Sequence, residues 1–333
     1  MTLWLLALQC HQHLVRRWTR LLVQVLGLQR QLSFHNLVND LKVPFKLLQS
    51  IHKAGKVIDG FKPDIAVGVG GYASAPLLWQ ATRKKIPALI QEQNGFAGVT
   101  NKILKDKAAK ICVAYEGMER FFPADKIMLT GNPVRQTLLE TTITREDAVR
   151  SLGLDPAKKT ILLVGGSLGA RTINESVLQH LDLVKSSDIQ FVWQTGKYYS
   201  ASINEQLKNE TIPNLKVTDF ITDMGAAYKA ADLVISRAGA SSISEFCLIG
   251  KPVILVPSPN VAEDHQTKNA LALANKDAAI YVKDADAPAI LLKLAIETVQ
   301  DDAKLKSLSE NVLKLALPDS AEIIAKEVIK LAQ

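Results

Sequence analysis

Two Rossmann-like, doubly wound α/β domains are what this sequence predicts, on three observations. The chain has 333 residues, 47% of them hydrophobic, which is more than a single core usually accommodates. Short Val/Ile/Leu runs recur between Lys- and Ala-rich stretches of helical spacing, and only 6% of residues are aromatic; this is the composition of a parallel sheet covered by helices. The alternation breaks at Gly131-Asn132-Pro133-Val134-Arg135, where Pro133 drives its neighbour out of helical geometry and Gly131 tolerates a bend, so the interdomain linker is placed there.

In the first domain the pattern predicts a helix over 51–60, a strand over 65–69, a helix over 75–84, a strand over 88–91 and a helix near 101–107. Short strands follow over 111–114 and 127–129, each bounded by Gly, Pro or charged residues. A second series has strands over 160–164, 190–193, 215–218, 233–236, 253–256 and 279–282 with helices between them. Past Pro318, residues 320–332 have amphipathic helical spacing. Two such domains facing across a cleft would hold ligands at the carboxyl ends of their strands, where the glycine-rich loops fall.

Ile161-Leu162-Leu163-Val164 runs into Gly165-Gly166-Ser167-Leu168-Gly169-Ala170-Arg171, and 172–181 reads as a helix. Glycines let backbone approach a phosphate, while free amides and the positive end of a helix favour negative charge. The competing reading is a tight turn for packing. The Gly-Lys-Ser/Thr ending of nucleotide hydrolases is absent. Ser236-Arg237-Ala238-Gly239-Ala240-Ser241-Ser242-Ile243-Ser244-Glu245 is again strand end, glycine turn and helix start. Here Ser242 and Glu245 have capping-box spacing, which favours a helix cap, and the competing reading makes Glu245 the acceptor for the hydroxyl pair of a ribose. Val67-Gly68-Val69-Gly70-Gly71-Tyr72, with Glu92 further on, is a weak match to a dinucleotide fingerprint. Asp284-Ala285-Asp286 precedes Pro288 and a helix, so its aspartates are expected as N-caps and not as metal ligands.

A net charge of +7 favours anionic partners such as a nucleotide diphosphate, a lipid pyrophosphate or an acidic membrane. Nucleic acid is not expected, because the basic residues are dispersed without interleaved aromatics. The three cysteines, Cys10, Cys112 and Cys247, have neither disulfide nor zinc spacing and fit a reducing cytoplasm. No apolar run reaches the roughly 20 residues of a spanning helix, so membrane contact is expected to be peripheral. Residues 1–8 are apolar without a basic leader and are not expected to be a secretory signal.

Together these segments resemble the MurG family of GT-B-fold N-acetylglucosaminyltransferases. The pieces that carry the resemblance are Gly27-Leu28-Gln29-Arg30, Gly70-Gly71-Tyr72 with Ser74 and Pro76, Gln91-Glu92-Gln93-Asn94, Thr130 to Arg135, Gly165-Gly166-Ser167 through Arg171, Ala240 to Glu245, and Glu263-Asp264-His265-Gln266. The resemblance implies transfer of N-acetylglucosamine from UDP-N-acetylglucosamine to undecaprenyl-linked lipid I, making lipid II for peptidoglycan by inverting displacement. It implies neither cofactor nor metal, and a peripheral place on the cytoplasmic face of the bacterial inner membrane.

By the same resemblance, Ser167 and Arg135 look like donors to the UDP diphosphate and Ile221 like a backbone contact to uracil. Ala240, Ser241, Ser242, Ile243, Ser244 and Glu245 look like the nucleoside pocket, with Glu245 as its ribose carboxylate. His265 and Gln266 look placed for the sugar hydroxyls, Asn94 for the donor, and Gly70, Gly71 and Tyr72 for the acceptor. Glu92 is the carboxylate expected as proton acceptor. Lys42, Lys46, Arg83, Lys102 and Lys105 are expected as basic membrane contacts.

The family's opening strand and histidine-bearing glycine loop have no counterpart here, and His11 and His13 lie in no such loop. An incomplete amino-terminal domain is therefore expected: residues 1–26 as a non-family segment, 27–133 as the acceptor and membrane domain, 134–318 as the UDP-sugar domain and 319–333 as a final helix. Two alternatives stand beside the transferase, a catalytically inactive truncated UDP-sugar-binding protein and an NAD-dependent oxidoreductase.

Overall fold

The computed structural model describes residues 43–333. The expectations for Cys10, His11, His13, Gly27-Leu28-Gln29-Arg30 and Lys42 lie outside the described residues. The chain divides into two compact units, one ending at Pro133 and taking back Pro318–Gln333, the other Val134–Leu317. Both are α/β with parallel sheets, as the alternation predicts.

In the first unit β1 (Ala66–Gly68), β2 (Ala88–Glu92), β3 (Lys110–Val113) and β4 (Ile127–Leu129) lie side by side in chain order. Neighbouring residues of β2 point to opposite faces, so both faces need cover. Ile90 packs with Ile58, Leu78 and Ile111 beneath the helices Val43–Phe61 and Ser74–Arg83. Leu89 turns the other way, onto Ile65, Cys112 and Ile324 of the tail helix Ser320–Leu331. The tail, expected as a separate element, thus closes one face of the first sheet. Burial, with Glu327 nearby, pushes the Cys112 thiol up to about 12, so it is a packing group and not a nucleophile.

The second unit carries β5 (Thr160–Val164), β6 (Gln190–Gln194), β7 (Leu215–Thr218), β8 (Leu233–Ser236), β9 (Val253–Leu255) and β10 (Ile280–Tyr281) in the order β10-β9-β8-β5-β6-β7. Its core joins Ile161, Leu163, Phe191, Trp193 and Ile235 to Leu291, Leu292 and Val299 of the helix Ala287–Gln300. The chain winds outward from β5 through β6 and β7, then returns to β8, β9 and β10 on the other side. Between β5 and β8 the winding reverses, which is where open α/β sheets bind ligands. Val164 pairs with Ser236 across that junction, so the two glycine loops leave the sheet side by side.

Several boundaries differ from expectation, and the helix expected over 51–60 already begins at Val43 and runs to Phe61. The helix expected near 101–107 runs Val99–Leu104, because Gly98 is extended and its amide is held by Glu92. The helix expected over 172–181 divides at His180 (φ −128°) into Arg171–Gln179 and Leu181–Ser186.

Candidate functional site

The loop after β5 combines both of its expected roles, residue by residue. A Cβ on Gly165 would lie 2.4 Å from the Ala170 nitrogen and one on Gly169 2.1 Å from the Thr195 carbonyl, so these two glycines are required for packing. Gly166 has φ +82° with nothing within 4 Å of an added Cβ, so it is required only for the turn. That turn exposes Ser167 and Leu168, whose amides donate to no group among the described residues. The helix Arg171–Gln179 follows with Ala170 at its cap and no side-chain cap, leaving its first amides for an anion.

The loop after β8 overturns the capping-box expectation. The helix Ala240–Ile249 is capped by Gly239 without a side-chain bond, and Ser242 is already its third residue. Glu245 instead turns inward and is 6% exposed. Its Oε2 accepts from the Tyr228 hydroxyl at 2.9 Å, and its Oε1 lies 3.4 Å from the Arg135 Nη2. Arg135, expected on the diphosphate, is thus the half-exposed counter-ion of the carboxylate expected on the ribose. Ser241 is exposed and Ala240 and Ser242 are partly so, while Ser244 Oγ donates to the Ala240 carbonyl at 3.0 Å. The side chains of Ile221 and Ile243 are buried, which leaves only their backbone to present to a ligand.

Arg237, in the same loop, donates from Nη1 to the carbonyls of Val256 (3.0 Å) and Pro257 (3.2 Å) and pairs with Asp284. The other oxygen of Asp284 accepts from the Thr172 hydroxyl at 3.0 Å, on the first turn of the helix Arg171–Gln179. The aspartates therefore do not act as the N-caps expected of them: Asp286 occupies the cap position of Ala287–Gln300 without a side-chain bond, and Asp284 is spent on Arg237 and Thr172. Gln266, on the helix His265–Ala274, accepts from the Ser258 amide at 2.9 Å; His265, partly exposed, opens that helix after two left-handed residues, Glu263 and Asp264.

In the first unit, Gly70 (φ +79°) and Gly71 (φ +75°) form a turn pinned by Ser74, whose hydroxyl donates to both of their carbonyls at 2.9 and 3.0 Å. Tyr72 is exposed beside them. Glu92 is 3% exposed and accepts from the amides of Asn94 (3.2 Å) and Gly98 (3.0 Å) and from Asn101 Nδ2 (2.8 Å). Both of its oxygens are thus engaged in holding the loop that carries Asn94.

Residues 13–113 match the glycosyltransferase family 28 N-terminal domain, and residues 160–324 match the family 28 C-terminal domain. A Bacteroides fragilis UDP-N-acetylglucosamine--N-acetylmuramyl-(pentapeptide) pyrophosphoryl-undecaprenol N-acetylglucosamine transferase is 64% identical over 90% of this chain and 79% of its own. The chain belongs to the MurG family.

A Cytophaga hutchinsonii transferase of the same name is 52% identical over 92% of this chain and 80% of its own. A crystal structure of Acinetobacter baumannii MurG superposes with a TM-score of 0.70 at 30% identity, covering 89% of this chain and 83% of that one. The comparisons support a MurG-family glycosyltransferase and neither alternative to it. Within the second unit the structure joins Arg135 and Glu245 directly and places the Ser167 and Ala240 loops on adjacent strands. Sequence reasoning missed Tyr228, Thr172 and the Arg237–Asp284 pair as parts of the site. Arg237 carried a usable signal, a lone charge at the end of the apolar run Leu233–Ser236; Tyr228 carried none.

Proposed function

We propose that this chain transfers N-acetylglucosamine from UDP-N-acetylglucosamine to lipid I by inverting displacement, with the donor held by Val134–Leu317. The observation that carries the reading is the pair of helix mouths at the β5/β8 reversal, one beside the Ser167 amide and hydroxyl, the other leading a turn further on to the Glu245 carboxylate held between Tyr228 and Arg135. As the acceptor hydroxyl attacks the anomeric carbon, charge accumulates on the departing diphosphate. The positive end of Arg171–Gln179, Ser167 and Arg135 are suited to stabilise that charge. Glu245 is suited to the ribose, the backbone of Ile221 to uracil, and Gln266 to the sugar hydroxyls. Glu92, at the end of β2, holds the loop that carries Asn94 and is the carboxylate suited to take the acceptor hydroxyl's proton, with Gly70, Gly71 and Tyr72 as the acceptor turn.

A lipid acceptor requires contact with the bilayer. Among the described residues no helix is long and apolar enough to cross a membrane. The first unit instead exposes Val99 and Ile103 next to Lys102 and Lys105, and Leu47 and Leu48 next to Lys46, the composition of a peripheral contact with an anionic surface. Incubation with labelled UDP-N-acetylglucosamine and a lipid I analogue in anionic vesicles tests both points. Labelled lipid II and a vesicle-bound fraction that falls as salt rises are expected. Folded protein that gives no labelled lipid, or vesicle binding indifferent to salt, would contradict the respective part.

A further inference from the structure

Tyr228 lies on the helix Met224–Ala230, whose cap Asp223 accepts the Ala226 amide at 2.9 Å, two residues beyond Ile221. The tyrosine is 4% exposed, and its ring meets Phe246 edge to face at 5.6 Å, so the ring cannot turn without disturbing the core. Its hydroxyl ends 2.9 Å from Glu245 Oε2. Burial and the neighbouring carboxylate push the phenol far above its ordinary value, so it remains a protonated donor over the whole working range.

The two oxygens of Glu245 are thus held unequally. Oε2 has a buried donor on a short, packed helix; Oε1 has a 3.4 Å contact with a guanidinium whose side chain is 50% exposed. A glutamate has three side-chain torsions, and a carboxylate that must meet a pair of vicinal hydroxyls gains from having them fixed beforehand. Each carboxylate oxygen accepts in two directions, so the tyrosine bond fixes the plane of the group without consuming it.

We infer that Tyr228 is a positioning residue for nucleoside recognition, holding Glu245 by Oε2 while Arg135 shields Oε1 until the ribose of a uridine diphosphate replaces it. The inference rests on the donor assignment proposed above. Arg135 then leaves the carboxylate for the diphosphate, so its guanidinium exchanges one anionic partner for another. Because Ile221 and Tyr228 flank one helical turn, the same element sets where the base and the ribose sit relative to each other.

The test is the affinity of the full chain for UDP and for 2′-deoxy-UDP, in wild type and Tyr228→Phe. The ratio of the two affinities does not depend on the fraction folded, so a destabilised variant still gives a result. The wild type is expected to prefer UDP by at least about tenfold, the value of a hydrogen bond to a charged group. Tyr228→Phe is expected to keep the ring but shrink that preference to about threefold or less, mostly by weakening UDP. An undiminished preference in Tyr228→Phe overturns the role of Tyr228 and leaves the ribose assignment standing. A wild type that does not distinguish the two nucleotides overturns the inference together with the assignment beneath it.

Discussion

Gly166 and Gly169 share one loop and both have positive φ, yet an added methyl group would meet different fates. At Gly166 nothing lies within 4 Å of it, and the cost is the left-handed backbone alone, about 1–2 kcal/mol for a residue with a side chain. At Gly169 the methyl group would sit 2.1 Å from the Thr195 carbonyl, part of a backbone that cannot yield cheaply. Urea unfolding is expected to show Gly166→Ala modestly and Gly169→Ala much more severely destabilised; equal midpoints or the reverse order would contradict the packing account. The sequence showed a strand, a glycine turn and a helix start, which was enough to mark the loop. It could not show which glycine packs and which turns, because Thr195 and Tyr199, the residues that crowd a Cβ at Gly169, both come from the segment that follows β6. Glu245 was likewise legible as a candidate for the ribose, whereas its partner Tyr228 was not, since a tyrosine in an Ala-rich helix looks like any core residue.

At the scale of elements, the two helix mouths are joined by a polar clamp. Arg237 at the end of β8 reaches the carbonyls that follow β9, and Asp284 passes the link to Thr172 on the helix Arg171–Gln179. Both charged side chains are largely withdrawn from water, at 15% and 19% exposure, so removing one leaves the other poorly solvated. Arg237→Ala is expected to lower stability by about 2–4 kcal/mol. Arg237→Met with Asp284→Leu should recover much of that stability but not affinity for UDP-N-acetylglucosamine, because the mouths are no longer tied. Urea midpoints and nucleotide titration check this; full affinity in the double variant would show that the clamp serves stability alone. Strands were the most legible elements: aliphatic runs buried on both faces, as in β5 and β8, leave little ambiguity, and both have the expected ends. Helix starts were the least legible. Ser242 and Glu245 have the spacing of a cap, but Gly239 opens that helix one turn earlier, and Asp286 sits at a cap position while making no cap bond.

At the scale of the molecule, each unit has its own sheet and core, and the returning tail helix completes the first by covering Leu89 and Cys112 with Ile324. That return was not legible, because amphipathic spacing shows that a helix has an apolar face and not which sheet the face meets. The family was legible because separated motifs recurred in order, and the 64% identity to the Bacteroides fragilis transferase agrees with them. The central claim is that the glycine loop after β5 and Glu245 after β8 grip a uridine diphosphate sugar. Calorimetric titration of the folded chain with UDP-N-acetylglucosamine and, separately, with NAD tests it most directly, in wild type and Glu245→Ala. Saturable binding of the UDP-sugar, little of NAD, and a loss of about tenfold or more in Glu245→Ala are predicted. Equal binding of the two nucleotides, or an unchanged affinity in Glu245→Ala, would contradict the account.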